Sequence, residues 1–284
     1  MGGFVLTHGG VGSPPDRIQG CDRAAEKGMA ILSEGGSALD AVVEASVILE
    51  DDPAYNAGTG SRPRLNGVCE MGASVMTSEG GIGAVAALAG VKNPIRVARM
   101  VMERTPHILL AGEGALSFAR RMGFGYYDPL TEHRKARLEE ALDQVRRGER
   151  EAHPGIAAYL EECDTIGVVA VDESGLMAAA NSTGGITLML PGRVGDTPIP
   201  GAGLYAGPAG AVATTGVGEE IIRRMSARRI YDLMEVGAHP EEACRAEADG
   251  YPHAVHFGAI AVSPRHPGWA ANRSMPVTLL GTGE

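Results

Sequence analysis

Glycine supplies 41 of the 284 residues, roughly twice the ~7% of an average protein. It gathers in clusters that close apolar runs, as in Gly9-Gly10, Gly35-Gly36, Gly80-Gly81 and Gly184-Gly185. Glycine placed this way specifies tight turns and places where bare backbone approaches another group, rather than disorder. With 44% hydrophobic residues, the chain has the means to bury a substantial core, and its length suits one large or two ordinary domains.

The net charge of −10 argues against partners that need a basic footprint, so no nucleic acid and no anionic membrane is expected. Small molecules or peptides are the expected partners. Met1 to His8 has no basic region and no long apolar run. Neither a signal peptide nor a membrane span is read there, and a cytoplasmic location is expected. Cys21, Cys69, Cys163 and Cys244 lack CxxC spacing, which indicates neither a zinc site nor a disulfide framework. No repeat of fixed period occurs, which excludes a solenoid.

Phe4 to His8 reads as a short buried strand running into Gly9-Gly10-Val11-Gly12, where amides could face a ligand. Apolar residues at spacings of three and four predict a helix over 14–32, and Ser37 with Asp40 caps a second one. That helix ends in Glu50-Asp51-Asp52-Pro53, whose spacing alone favours a solvated helix end. Strands are expected over 70–77 and 81–89, and helices from Pro94, over 114–122 and over 130–147. A disordered-looking stretch, Glu149 to Gly155, follows. After Thr165 come a hairpin, 166–171 and 176–180, helices over 219–225, 230–236 and 240–248, and closing strands over 257–262 and 269–271. Strands flanked by helix pairs on both sides of Thr165 suggest two packed sheets covered by helices.

The abrupt boundary is Cys163-Asp164-Thr165-Ile166-Gly167, where a charged segment typical of an exposed helix or a cuttable linker meets an apolar strand. A threonine hydroxyl is a poor nucleophile without an adjacent base, and the base every threonine carries is its own α-amine. Cleavage between Asp164 and Thr165 would free an amine of pKa ~7.7–8.0, able to take a proton near neutral pH.

Six ordered motifs carry a resemblance: His8-Gly9-Gly10, Asn56-Ala57-Gly58-Thr59-Gly60, Asp164-Thr165-Ile166-Gly167, Ser182-Thr183-Gly184-Gly185, Pro191-Gly192-Arg193-Val194-Gly195-Asp196 and Thr215-Gly216-Val217-Gly218-Glu219. Together they resemble the isoaspartyl peptidase/L-asparaginase family of N-terminal-nucleophile hydrolases. The resemblance implies an α+β fold, a four-layer αββα sandwich forming a single domain over 1–284. It further implies self-cleavage before Thr165 into subunits 1–164 and 165–284, which pair as a homodimer of αβ heterodimers.

By the same resemblance, Thr165 is the nucleophile, Thr183 tunes its hydroxyl, Thr215 and Gly216 form the oxyanion hole, and Asn56 helps position the nucleophile. Arg193 and Asp196 would hold the α-carboxylate and α-ammonium of the substrate, with Gly218, Gly9 and Gly10 lining the same pocket. No cofactor is needed for the chemistry, but a structural monovalent cation, sodium, is implied at Leu49, Glu50, Asp52, Tyr55, Ala57 and Thr59. The implied reactions are hydrolysis of L-asparagine and of β-aspartyl dipeptides. Glycosylasparaginase, which shares the Asp-Thr nucleophile, is the rival enzyme, and a non-catalytic glycine-rich binding module is the rival from another class. The sequence departs from the family pattern at Cys163, at Asn181 and at Val217, the last two standing where threonine is usual.

Overall fold

The computed structural model describes residues 3–149 and 165–281, and the chain over these residues is a mixed α/β fold of two sheets and their helices. Strand β1 (Phe4–His8) leads through one 3-10 turn, Pro15–Arg17, into α1 (Ile18–Ser33). The helix expected from Pro14 thus begins four residues later. Helix α2 (Ala38–Asp51) opens with the expected capping box: Ser37 Oγ accepts from the Asp40 N–H at 3.1 Å and the Asp40 carboxylate from the Ser37 N–H at 3.3 Å. Then come β2 (Met71–Thr77), β3 (Ile82–Leu88), α3 (Pro94–Arg104), β4 (Leu109–Ala111), α4 (Gly112–Arg121) and α5 (Glu132–Arg146). The second stretch contains β5 (Ile166–Val171), β6 (Met177–Thr183), β7 (Leu204–Gly207), β8 (Gly210–Gly216), α6 (Gly218–Arg224), α7 (Ser226–Glu235), α8 (Pro240–Asp249), β9 (Phe257–Val262), β10 (Pro267–Ala271) and β11 (Val277–Gly281).

One sheet has the order β11-β1-β5-β6-β2-β3-β4, antiparallel throughout except between β3 and β4; the other has the antiparallel order β10-β9-β8-β7. Helices α1, α2 and α3 lie against the first sheet, α7 and α8 against the second, and the two sheets meet through β1, β2, β5 and β6 on one side and β7, β8 and β9 on the other. Strand β5 shows why the hairpin run after Thr165 is apolar without alternation. Ile166, Val168 and Ala170 join the core under the helices, whereas Val169 and Val171 join the core between the sheets with Leu204, Ala213 and Ile260. Both faces are buried, and each of the Ile and Val side chains contributes about 1.5–3 kcal/mol by leaving water.

Strands β4, β7, β8 and β11 were not expected; β8 escaped because its run Gly210-Ala211-Val212-Ala213-Thr214-Thr215-Gly216 mixes glycine, alanine and threonine with one valine. Strands β4, β7 and β11 have only three to five residues, all three are edge strands, and no residue of β4 or β11 is fully buried, so no apolar period marks them. Helix α5 forms within the helix expected over 130–147 and is largely exposed, with only Leu138 and Ala141 buried. Thr131 Oγ1 caps it, accepting from the Arg134 N–H at 3.3 Å, and its Leu138 and Ala141 pack on Leu188. Residues 150–164, which include most of the disordered-looking stretch and the Cys163-Asp164 side of the expected cleavage bond, lie outside the described residues. Among the described residues no helix is long and apolar enough to cross a membrane.

Candidate active site

Thr165 stands at the foot of β5, and the register Ile166 opposite Ser182 brings it beside Thr183 at the end of β6. The Thr165 hydroxyl donates to Thr183 Oγ1 at 3.4 Å, and that same oxygen accepts the Gly185 N–H at 3.1 Å. Both threonines are buried. Side chains alternate along strands, so Thr165 and Thr183 share the face of the first sheet that looks towards the second.

Asn56 organises the corner that follows Thr183. Its Nδ2 donates to the Gly185 carbonyl at 2.6 Å, its Oδ1 accepts from the Arg62 N–H at 3.0 Å, and its own carbonyl accepts from the Gly184 N–H at 2.7 Å. A Cβ on Gly184 would lie 2.6 Å from Asn56 Oδ1, so this approach needs glycine. Asn56 therefore reaches Thr165 through Gly185 and Thr183.

The N-terminal glycine loop meets the other side. The Val11 N–H donates to Thr215 Oγ1 at 3.3 Å, which places Gly9 and Gly10 beside Thr215 and leaves the Thr215 hydroxyl proton free to be donated elsewhere. His8 Nδ1 accepts from the Gly10 N–H at 3.2 Å. Burial pushes the His8 imidazole down to about 3, with the Thr165 backbone opposing it, so the ring is neutral and its proton sits on Nε2. Thr215 and Gly216 end β8, and Gly216 has φ 148° with the His256 carbonyl where a Cβ would sit.

Arg193, Asp196 and Gly218 come together as the motifs imply: a Cβ on Gly218 would lie 2.9 Å from both Arg193 Nη2 and Asp196 Oδ1. Arg193 also meets a carboxylate that the motifs did not assign to the site. Arg193 gives its planar fork to Glu219, at 2.9 and 2.7 Å, and Asp196 stands apart, fully enclosed, near Thr214 Oγ1 at 3.5 Å. Burial raises the Asp196 carboxyl to about 6 although Arg193 pulls it down. Burial also acts to raise Glu219, but the Arg193 fork outweighs it and holds that carboxyl below its ordinary value.

The asparaginase family model matches residues 4–281. The chain belongs to this family of hydrolytic enzymes. A plant-type L-asparaginase of Pyrococcus abyssi is 42% identical over 266 residues, covering 89% of this chain and 86% of that protein. The isoaspartyl peptidase/L-asparaginase of Danio rerio is 40% identical over 287 residues, covering 95% and 88%, and that of Homo sapiens 40% identical over 291, covering 97% and 92%.

In this asparaginase-family chain the loop expected to hold a cation folds back on the end of α2. The Thr59 N–H donates to the Glu50 carbonyl at 2.7 Å and the Tyr55 N–H to the Asp52 carbonyl at 3.1 Å. Gly58 and Gly60, both at positive φ, allow the Glu50 and Pro53 carbonyls to approach within 2.4 and 2.6 Å of where a Cβ would be. The acidic side chains do not converge. Asp52 accepts from Arg23 at 2.6 Å and Asp51 from Lys92 at 2.9 Å. Glu50 overturns the solvated-end reading: it is fully buried, and its Oε1 accepts from Ser182 Oγ at 2.6 Å and the Ile95 N–H at 3.0 Å. Burial raises its carboxyl to about 8, against those hydrogen bonds. Among the described residues no three His, Cys, Asp or Glu side chains form a metal cluster.

Two further residues border the site without having been singled out in the sequence. Glu219 is one; its place just after a glycine motif gave no sign that Arg193, 26 residues earlier, would meet it. Arg64 is the other, buried beneath Gly184-Gly185 and donating to the carbonyls of Gly184 (3.3 Å), Glu70 (2.7 Å) and Arg193 (3.4 Å). An arginine in the run Ser61-Arg62-Pro63-Arg64 carries no such signal.

Proposed function

We propose that the chain is a threonine amidohydrolase that cuts itself between Asp164 and Thr165 and then hydrolyses L-asparagine and β-aspartyl dipeptides. The observation that carries this reading is the Thr165 hydroxyl donating to Thr183 Oγ1 at 3.4 Å, on the side of the sheet that also faces Thr215. The names of the archaeal and vertebrate relatives support both substrates.

In the matured enzyme, the freed α-amine of Thr165 takes the proton of its own hydroxyl as Oγ1 attacks the side-chain amide carbon of the substrate. The Thr215 hydroxyl and the Gly216 amide donate to the oxyanion; each such donor contributes ~3 kcal/mol to transition-state stabilisation. The leaving nitrogen takes the proton from the amine and departs as ammonia, or as the amine of the second residue of a dipeptide. Water then attacks the β-aspartyl ester, its proton passing to the amine and back to Oγ1, and aspartate leaves. Arg193 holds the substrate α-carboxylate and Asp196 its α-ammonium, with Gly218 between them.

The helix and sheet contacts support a four-layer αββα sandwich forming a single domain, with subunits 1–164 and 165–284 after cleavage, paired as a homodimer of αβ heterodimers. The loop from Leu49 to Thr59 suits a monovalent cation such as sodium, held by the backbone carbonyls of Leu49, Glu50, Asp52, Tyr55, Ala57 and Thr59. Pro53 has no N–H, so the Leu49 carbonyl has no donor four residues on, and the acids point elsewhere. A cation there would supply rigidity and no bond-breaking chemistry.

Intact-mass analysis is the direct test. The expected result is two fragments, one ending at Asp164 and one beginning at Thr165, with a single uncut chain for Thr165→Ala. The matured protein should release aspartate from asparagine and from β-Asp-Leu. Turnover of N-acetylglucosaminyl-asparagine alone would replace this reading with glycosylasparaginase, and an uncut, inert wild type would remove the enzyme reading altogether.

A further inference from the structure

Asn181 occupies a position where packing asks for an apolar residue. It lies on β6 opposite Gly167 of β5, next to Ala180 and in line with Ala179, and it is completely buried. Its inner-face neighbours Ala179 and Val169 belong to the apolar core between the sheets. A buried primary amide is costly unless it is hydrogen-bonded, and this one is bonded across the gap. Its Nδ2 donates to the Gly203 carbonyl at 2.6 Å and to the Thr214 carbonyl at 3.0 Å.

Those two carbonyls are joined to the rest of the site. Thr214 precedes Thr215, one of the oxyanion donors, and its N–H donates to the Gly203 carbonyl at 2.8 Å. The Gly203 N–H in turn donates to the Asp196 carbonyl at 3.2 Å. On its own strand Asn181 is two residues from Thr183, the partner of the nucleophile. One side-chain amide thus spans from the nucleophile's hairpin to the strand that ends in Thr215 and Gly216, and to the backbone of Asp196.

Gly167 belongs to the same arrangement. A Cβ there would lie 2.4 Å from Asn181 Oδ1 and 2.3 Å from His8 Nε2, so the absent side chain is the space into which both groups point. Neither atom has a hydrogen-bond partner among the described residues. The donor pair of Asn181 is therefore committed to the opposite sheet, while its acceptor faces a histidine N–H across a gap sized by glycine.

Resting on the functional reading above, we propose that Asn181 is a positioning residue that sets the separation of the Thr165 hydroxyl from the oxyanion donors. Catalysis of this kind depends on placement to within a fraction of an ångström, so loosening the link lowers the chemical step more than substrate affinity. The hydrogen bonds of Asn181 go to Gly203 and Thr214, and its link to Asp196 ends on that residue's backbone carbonyl, so the side chains proposed to hold the substrate keep their own partners.

The test uses matured protein, with cleavage verified by mass, and follows kcat and KM for asparagine between pH 6 and 8.5 together with thermal unfolding. For Asn181→Ala, kcat should fall roughly 10- to 100-fold while KM changes less than about 3-fold. Asn181→Asp places a carboxylate against two carbonyl oxygens when ionised but offers one donor when protonated. Its kcat relative to wild type should therefore rise as pH falls. A merely structural asparagine would lower the unfolding temperature and leave both readouts alone. Should Asn181→Ala prove insoluble, the pH profile of Asn181→Asp decides, and a flat ratio overturns the proposal. An active wild type with unchanged kcat in Asn181→Ala overturns this inference alone, whereas a cleaved wild type inert towards both asparagine and β-Asp-Leu overturns the functional reading and this one with it.

Discussion

Glu50→Gln is the sharpest test of how the site is built. The Glu50 carboxyl titrates at about 8 in the folded chain against an ordinary 4.5, because burial penalises the charged form more than its hydrogen bonds favour it. Between these values the folded state keeps a proton that the unfolded state releases. Stability from this group is therefore full below pH 4.5, declines by ~1.4 kcal/mol per pH unit as pH rises, and levels off above 8. From pH 5 to 8 that sets a ceiling of ~4 kcal/mol, and local rearrangement around an ionised carboxylate brings the expected difference to about 2 kcal/mol. Glutamine keeps an oxygen to accept from Ser182 and Ile95 and cannot ionise. Urea unfolding of both proteins in a Thr165→Ala background, which keeps one chain, should give equal stability at pH 5. By pH 8 the glutamine variant should be more stable by that amount. A difference that stays constant, or a wild type that gains on the variant with rising pH, would mean that the carboxylate is charged in the fold, and the burial argument would be wrong.

Thr183→Val removes the oxygen that accepts from Thr165 and Gly185 while keeping the shape; kcat of matured protein should fall ~10- to 100-fold at nearly constant KM, and an unaltered kcat would deny Thr183 its part. The proposed function has Asp196, raised to about 6, hold the substrate ammonium, so KM for asparagine should be steady above pH 7 and climb below 6 as that carboxylate is protonated; Asp196→Asn should show a high KM without that slope. Glu219 occupies the Arg193 fork, which the proposed function assigns to the substrate carboxylate, so Glu219→Gln should lower KM by roughly 3- to 10-fold. A higher KM would show that Glu219 steadies Arg193 instead. Replacing sodium by tetramethylammonium in the buffer, too large for a carbonyl cage, should lower the unfolding temperature and leave kcat of the remaining folded enzyme unchanged.

Local rules acting over a few residues were legible in the sequence. The Ser37-Asp40 capping box, Pro94 opening α3 and the hairpin β5-β6 after Thr165 each depend on neighbours in the chain, and each formed where expected. The ordered motifs likewise named the residues that the fold gathers, from Asn56 to Gly218. Edge strands escaped notice because short, half-exposed strands such as β4 and β11 bury too little to carry a period.

What only the tertiary structure decided is where charge and hydrogen-bonding capacity go, since that is set by distance and burial between residues far apart in the chain. Glu50, in a run of acids, looked solvated, yet it is buried and bonded to Ser182, 132 residues away. Arg193 was read as a fork for a substrate carboxylate, and only the fold shows that it meets Glu219, 26 residues away. Asn181 showed in the sequence only as a departure from a family pattern, and its two bonds to Gly203 and Thr214 exist because the sheets pack face to face. The sequence by itself determined the family of the chain and which polar and glycine-rich motifs it carries. The folding of β5, β6 and β8 into facing layers determined their distances, and with them which groups are held, which stay neutral and which can act together.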